Sequence, residues 1–264
     1  MSLLTRLFPA ALAAALLSGC TVTPSKAPPP DTKVPDRAVL RKAAARLTAV
    51  VISSKAELAP WVESRFTQGQ GPDDADGGSA VPISPDGYFI TADHVLARSD
   101  GRNVFLIHGQ LGGLKATKAR IVWRSSSSDL ALLNIPIATP RYYNWTPADH
   151  WLPAGTPVVH SGIATGFRSE PGQLVTDIPP GKKNAARFKH DIPLEPGDSG
   201  GAVIDAYGNL VGVNSAVEFL VPLETAFFIE SEANRPNVAA LQRVIEKDRR
   251  RNGRSLSDVS PASP

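Results

Sequence analysis

Gly197-Asp198-Ser199-Gly200-Gly201 decides how the rest of the chain is read. Glycines on both sides of a serine let the backbone turn sharply, so that the hydroxyl stands exposed while nearby N–H groups converge on one point. The same pentapeptide satisfies the Gly-x-Ser-x-Gly elbow of α/β-hydrolases, in which an acid and then a histidine must follow the serine. All five histidines (94, 108, 150, 160 and 190) precede Ser199. Chain order therefore excludes that fold as a catalytic reading, and any base that serves Ser199 comes from upstream.

Two upstream stretches supply the candidates. Gly87-Tyr88-Phe89-Ile90-Thr91-Ala92-Asp93-His94-Val95 places a histidine just past a β-type run, and Ser128-Asp129-Leu130-Ala131-Leu132-Leu133 places an aspartate at the start of another. His94 and Asp129 lie 35 residues apart and Asp129 and Ser199 lie 70 apart. That leaves room for the rest of one barrel and most of a second. The order His, Asp, Ser is the one the chymotrypsin template requires. With these three motifs, the sequence resembles the trypsin-like peptidases, in particular the bacterial HtrA/Deg branch, over roughly residues 49 to 232.

The resemblance implies an all-β protein of two six-stranded Greek-key barrels with short N- and C-terminal helices. It implies that His94 takes the proton of Ser199 and returns it to the leaving amine, while Asp129 fixes the imidazole tautomer. The oxyanion would sit between the amides of Gly197 and Ser199. Ser215, in Asn214-Ser215-Ala216, matches the family's substrate-pairing strand and is positioned to hydrogen-bond the aspartate. Pro193 falls where the pocket floor is set, which argues against Lys/Arg preference. Asn214 stands where glutamate-specific relatives carry a histidine, which argues against that class. Walls from Ser215, Ala216 and Val217 suggest a small or medium apolar side chain at the cleaved position.

Two departures matter. HtrA enzymes usually have asparagine where Asp198 stands, and no PDZ segment is expected after the C-terminal helix. Digestive relatives use an aspartate at that place to bind a new N-terminus; here we expect competence without activation cleavage.

The composition suits such a fold: 42% hydrophobic, 20% charged, 24 Pro and 21 Gly in 264 residues, a turn-rich balance that favours short strands. Net charge is only +3, and no basic face with interleaved aromatics marks a nucleic-acid partner. β-type runs bounded by turn residues recur at 49–52, 87–91, 104–107, 120–123, 130–135, 157–160, 202–205, 210–214 and 226–229. A short amphipathic helix is expected over 38–47, and a second from 234–236 to about 250.

The N-terminal segment reads differently. An apolar run from Leu7 ends in Leu17-Ser18-Gly19-Cys20, too short to span a bilayer and similar to a bacterial lipoprotein signal. Residues 1–19 read as signal peptide, Cys20 as the lipidation site, 20–36 as a Pro-rich tether, 37–250 as the peptidase domain and 251–264 as a disordered tail. With Cys20 lipidated no cysteine remains for a disulfide, and Thr21 after it favours the outer membrane, facing the periplasm. His108, His150 and His160 show no metal-ligand spacing, and neither metal nor cofactor is expected. His190-Asp191 reads as structural, and Arg249-Arg250-Arg251 as a solvated helix end. The expected function is a cell-envelope serine endopeptidase on protein or peptide substrates. The competing reading is a catalytically silent lipoprotein that binds a protein partner through the same fold. Hydrolysis of small esters is a permitted side activity.

Overall fold

The fold is that of a computed structural model, which describes residues 27–58, 73–109, 113–166, 171–181, 185–220 and 227–252. Cys20, the signal segment and the tail from 253 lie outside them. The chain opens with α1 (Arg37–Ala44), capped by Asp36, whose carboxylate accepts from the amides of Ala38 and Val39. A first antiparallel sheet follows: β1 (Thr48–Ser53), β2 (Asp76–Pro82), β3 (Tyr88–Thr91), a 3₁₀ helix (Asp93–Leu96), β4 (Asn103–His108), β5 (Lys115–Lys118), β6 (Arg120–Ser125) and β7 (Leu130–Asn134). The second comprises β8 (Pro157–Ser161), β9 (Gly172–Gln173), β10 (Ala186–His190), β11 (Ala202–Asp205), β12 (Leu210–Leu220) and β13 (Phe227–Arg235), before α2 (Val238–Arg251).

Both sheets close on themselves. The first has the order β5-β4-β1-β2-β3-β7-β6, seven named strands where six were expected. β5 and β6 are interrupted only at Ala119, whose amide still bonds the Val104 carbonyl at 2.8 Å. They act as two halves of one bent strand, pairing with β4 at one edge and β7 at the other. The second sheet runs β10-β13-β12-β11-β8-β9, and the bridge between Leu174, just past β9, and His190 of β10 joins its edges. Closure leaves few open ladder groups for unwanted pairing.

Strands that read as unbroken apolar runs are buried on both faces. Every side chain of β3 and β7 is buried. Phe89, Ala131 and Leu133 fill the first barrel, whereas Tyr88, Ile90, Leu130 and Leu132 face outward into a cluster with Val159, Ile204, Leu210 and Val213 of the second. The same cluster takes Val39 and Ala43 of α1 and Leu241 and Ile245 of α2. The two barrels are thus welded along the line where the candidate site lies.

α2 follows the second barrel but is tied to the first. Tyr88 donates to Asp248 at 2.8 Å, Arg120 grips the same carboxylate through both terminal nitrogens, and Arg249 holds Asp86 in a bidentate pair at 2.7 Å. Arg249 is therefore not part of a freely solvated helix end. The helix also starts later than its sequence pattern suggests, because residues up to Arg235 pair with β10 and Asn237 supplies the cap.

Candidate active site

His94 sits on the 3₁₀ turn that leaves β3, a turn braced by Arg124 donating to Asp93 at 2.6 Å. Asp129 stands at the mouth of β7 with φ +46°, the sole non-glycine residue with positive φ among the described residues. Aspartate tolerates this left-handed geometry better than most residues. The kink points the carboxylate back at His94: one oxygen accepts the His94 amide at 2.9 Å and the other bonds Nδ1 at 2.9 Å. Nδ1 must then carry the proton, which leaves Nε2 as a lone-pair base.

Ser215, on β12 at a bulge, reaches the same carboxylate from the second barrel, its hydroxyl donating to Asp129 at 2.5 Å. The Ser199 hydroxyl donates to the Ser215 carbonyl at 3.3 Å. A continuous polar path thus runs from His94 through Asp129 and Ser215 to Ser199, half of it from each barrel. The Ser199 hydroxyl is turned to the Ser215 carbonyl, and among the described residues no hydrogen bond joins it to His94.

The electrostatics match the path. The Asp129 hydrogen bond raises the His94 pKa above its ordinary value against the opposing effect of burial. Burial pushes Asp129 up, but the bonds from His94 and Ser215 outweigh it and hold the carboxyl below the usual range.

The serine turn is open on its amide side. Gly197 (φ +108°) and Gly200 (φ +85°) take backbone angles that side chains rarely adopt. The carbonyls of Gly197 and Ser199 are both bonded to Ser79 of β2, while their amides have no protein acceptor among the described residues. These are the two N–H groups that the family resemblance assigns to an oxyanion.

Other residues expected at the site fall out variously. Pro193 and Ala216 are exposed, Ser215 is nearly buried, and the Val217 side chain lies outside the described residues. Asn214 is fully buried and engaged at both ends: His190 bonds its oxygen at 3.0 Å and its nitrogen meets His160 Nδ1 at 3.4 Å. It is a link beneath the site and not a wall open to a ligand. His190 lies at the end of β10, fully buried. Burial lowers its pKa to about 4, the Asn214 hydrogen bond opposing. Burial lowers His160 as well, against the field of Asp198.

Residues 78–213 match the model of the trypsin-like peptidase domain. The chain belongs to that family. Among curated relatives, a "Probable periplasmic serine endoprotease DegP-like" of Pseudomonas savastanoi pv. phaseolicola is 27% identical over 172 residues, covering 59% of this chain and 34% of its own. "Serine protease Do-like HtrA" of Lactobacillus helveticus is 28% identical over 142 residues, 49% of this chain and 32% of that one. The chain spans about a third of the length of these relatives. A solved structure, "HtrA-type protease AlgW with tripeptide", superposes with a TM-score of 0.56 at 23% identity over 83% of this chain and 65% of that one. The trypsin-like double barrel is the shared architecture.

Two contributors to this trypsin-like site were not found from sequence. Ser79 and the 163–165 loop are 118 and about 34 residues from the serine turn that they hold, and neither carries a motif recognisable in one chain.

Proposed function

We propose that this chain is a serine endopeptidase of the cell envelope, working through an acyl-enzyme on Ser199. The observation that carries the proposal is the hydrogen-bonded path His94–Asp129–Ser215–Ser199, beside two unspent amides. A serine hydroxyl is a poor nucleophile at neutral pH and needs a base within reach. His94 Nε2 takes the Ser199 proton as Oγ attacks the scissile carbonyl, and returns it to the leaving amine. Asp129 keeps the imidazole in the required tautomer and stabilises its charged form. The amides of Gly197 and Ser199 receive the oxyanion, where each donor is worth about 3 kcal/mol of barrier. Water, activated by the same histidine, then releases the acyl group.

The substrate is a protein or peptide chain, held in extended form beside residues 215–217. The peptides in the solved HtrA-type neighbours and the periplasmic relatives support substrate and compartment. A small or medium apolar residue at the cleaved position fits Pro193, Ser215, Ala216 and Val217, none of them charged. Asn214 contributes by fixing what lies beneath the pocket. Cys20 carries the lipid and places the domain at the outer membrane; mass spectrometry of the membrane fraction tests this through a diacylglyceryl adduct on Cys20.

Labelling with a fluorophosphonate, with Ser199→Ala as control, tests the activity. Label on the parent and none on the variant is the expected result. A parent that stays unlabelled in every form would leave only the partner-binding reading of the fold.

A further inference from the structure

The serine turn is gripped from both barrels. From the first, Ser79 donates its amide to the Ser199 carbonyl at 2.8 Å and its hydroxyl to the Gly197 carbonyl at 2.7 Å. Its own orientation is set by two further bonds, from the Ile163 amide to its hydroxyl at 2.9 Å and from the Thr91 hydroxyl to its carbonyl at 2.7 Å. From the second barrel, the Asp198 carboxylate is fully buried and takes four donors of this chain. The amides of Ala164 and Thr165 and the Thr165 hydroxyl meet one oxygen at 3.0, 3.1 and 3.2 Å, and the Glu195 amide meets the other at 3.0 Å.

Three successive amides therefore serve the clamp, that of Ile163 bonding Ser79 and those of Ala164 and Thr165 bonding Asp198 in the turn. The backing is fully bonded too: Thr165 touches His160 at 2.7 Å, and His160 continues through Asn214 to His190. Fit is tight, since a methyl group on Gly162 would run into the Asp198 carboxylate, and one on Gly200 into the Ser79 carbonyl. Both carboxylate oxygens are thus hydrogen-bonded, with His160 Nε2 3.8 Å from the second, and the packing leaves no space for an ammonium group from a freshly cut chain end. Ser79 pins the Gly197–Asp198 and Ser199–Gly200 peptide planes, and these flank the Asp198–Ser199 peptide that carries the Ser199 amide, whose own carbonyl accepts from the Gly201 amide at 2.8 Å.

We propose that Ser79 and Asp198 form an internal clamp that holds the oxyanion turn in working shape as soon as the chain folds, with no cleavage-released N-terminus. Both are positioning residues, acting through the amides of the turn, and the proposal rests on the peptidase reading above.

The test combines intact-mass analysis with kinetics on a peptide p-nitroanilide carrying alanine or valine at the cleaved position. Fluorophosphonate adduct on an untrimmed chain, still containing the segment before Thr48, is expected. Asp198→Ala should lower kcat about 100-fold, the scale of one lost oxyanion donor, with KM within about threefold. Asp198→Asn, which keeps an oxygen for the Ala164 and Thr165 amides, should recover most of that loss. Thermal melting identifies variants that fold; if Asp198→Ala does not, Ser79→Ala carries the test, with a kcat loss of at least about tenfold expected. A folded Asp198→Ala or Ser79→Ala enzyme within threefold of the parent kcat would overturn the clamp. So would a parent that labels only after trimming between residues 36 and 76, although the peptidase reading would then stand. A parent inert both before and after trimming removes both.

Discussion

Replacing Asp129 by asparagine would keep the shape of the site and invert its hydrogen bonding. The amide could offer Nδ1 a donor, which favours the tautomer with Nε2 protonated and unable to act as a base. A fall in kcat/KM on the order of 10⁴ is expected, as in the chymotrypsin-type triad, measured against a parent of equal melting temperature. The pH profile tests the same bond differently. Asp129 raises the His94 pKa, so the acid limb of kcat/KM should have its midpoint above 6.5; a midpoint below that value would contradict the Asp129 assignment. At this scale the sequence was informative where chemistry demands a local string. Gly-Asp-Ser-Gly-Gly and the stretches around His94 and Asp129 could be read directly, because each turn needs its own neighbours. Ser79 could not, since nothing local distinguishes it from any strand serine. The dead end at Asn214 was equally hidden, because its partners His160 and His190 arrive from two other strands.

Elements add their own constraints. Gly200→Ala should yield an inactive, poorly folding protein, because a methyl at φ +85° would collide with the Ser79 carbonyl and the Thr91 hydroxyl. Soluble yield and fluorophosphonate labelling would show it. Asp248→Ala removes the acceptor shared by Tyr88 and Arg120 and leaves a buried hydroxyl unpaired. About 2–3 kcal/mol should be lost in urea denaturation, with Tyr88→Phe costing about 1 kcal/mol. The strands legible in advance were those rich in β-branched and large apolar residues. β2 was missed because Asp76-Gly77-Gly78-Ser79 has little strand propensity; β1 and β3 on either side impose extension. Gly77 and Gly78 are there for clearance, since side chains would meet the Val50 carbonyl and Val95 with the Ser199 carbonyl. β10 was missed because Arg187 and Lys189 alternate with the buried Phe188 and His190, a pattern too short to stand out.

On the scale of the whole molecule, acid should weaken the fold before it damages any single contact. His190 and His160 are buried in neutral form with lowered pKa values, so the unfolded chain binds more protons than the folded one below pH 6.5. Stability is thus full above about 6.5 and falls as pH drops toward 4. His190 alone accounts for roughly 3 kcal/mol at the acid end. His94 has the opposite sign, its contribution being lost as pH rises through its folded pKa, but its side chain is 48% exposed and the term is small. Melting temperatures recorded from pH 7.5 to 4.5 should decline steadily, and His190→Gln should flatten the slope. The division of the site between two barrels has a further effect. Removing residues 236–264 deletes α2 and its grip on Asp86, Asp248's partners and the inter-barrel cluster, and labelling of Ser199 should disappear with it.

One contact near the N-terminus reaches furthest. Pro30 lies against Gly155, the Tyr207 hydroxyl donates to Asp31 at 2.7 Å, and the Lys33 ammonium sits 4.1 Å from the centre of the Tyr207 ring. The chain is therefore held against the folded body from Pro30 onward, well before α1, and if Cys20 carries a lipid only the residues between them are left as leash. Ten residues pulled straight cover at most about 35 Å, so a lipidated enzyme could graze only a thin shell of space above its bilayer. Its diet would be set by which chains stray into that shell, as much as by what its pocket accepts.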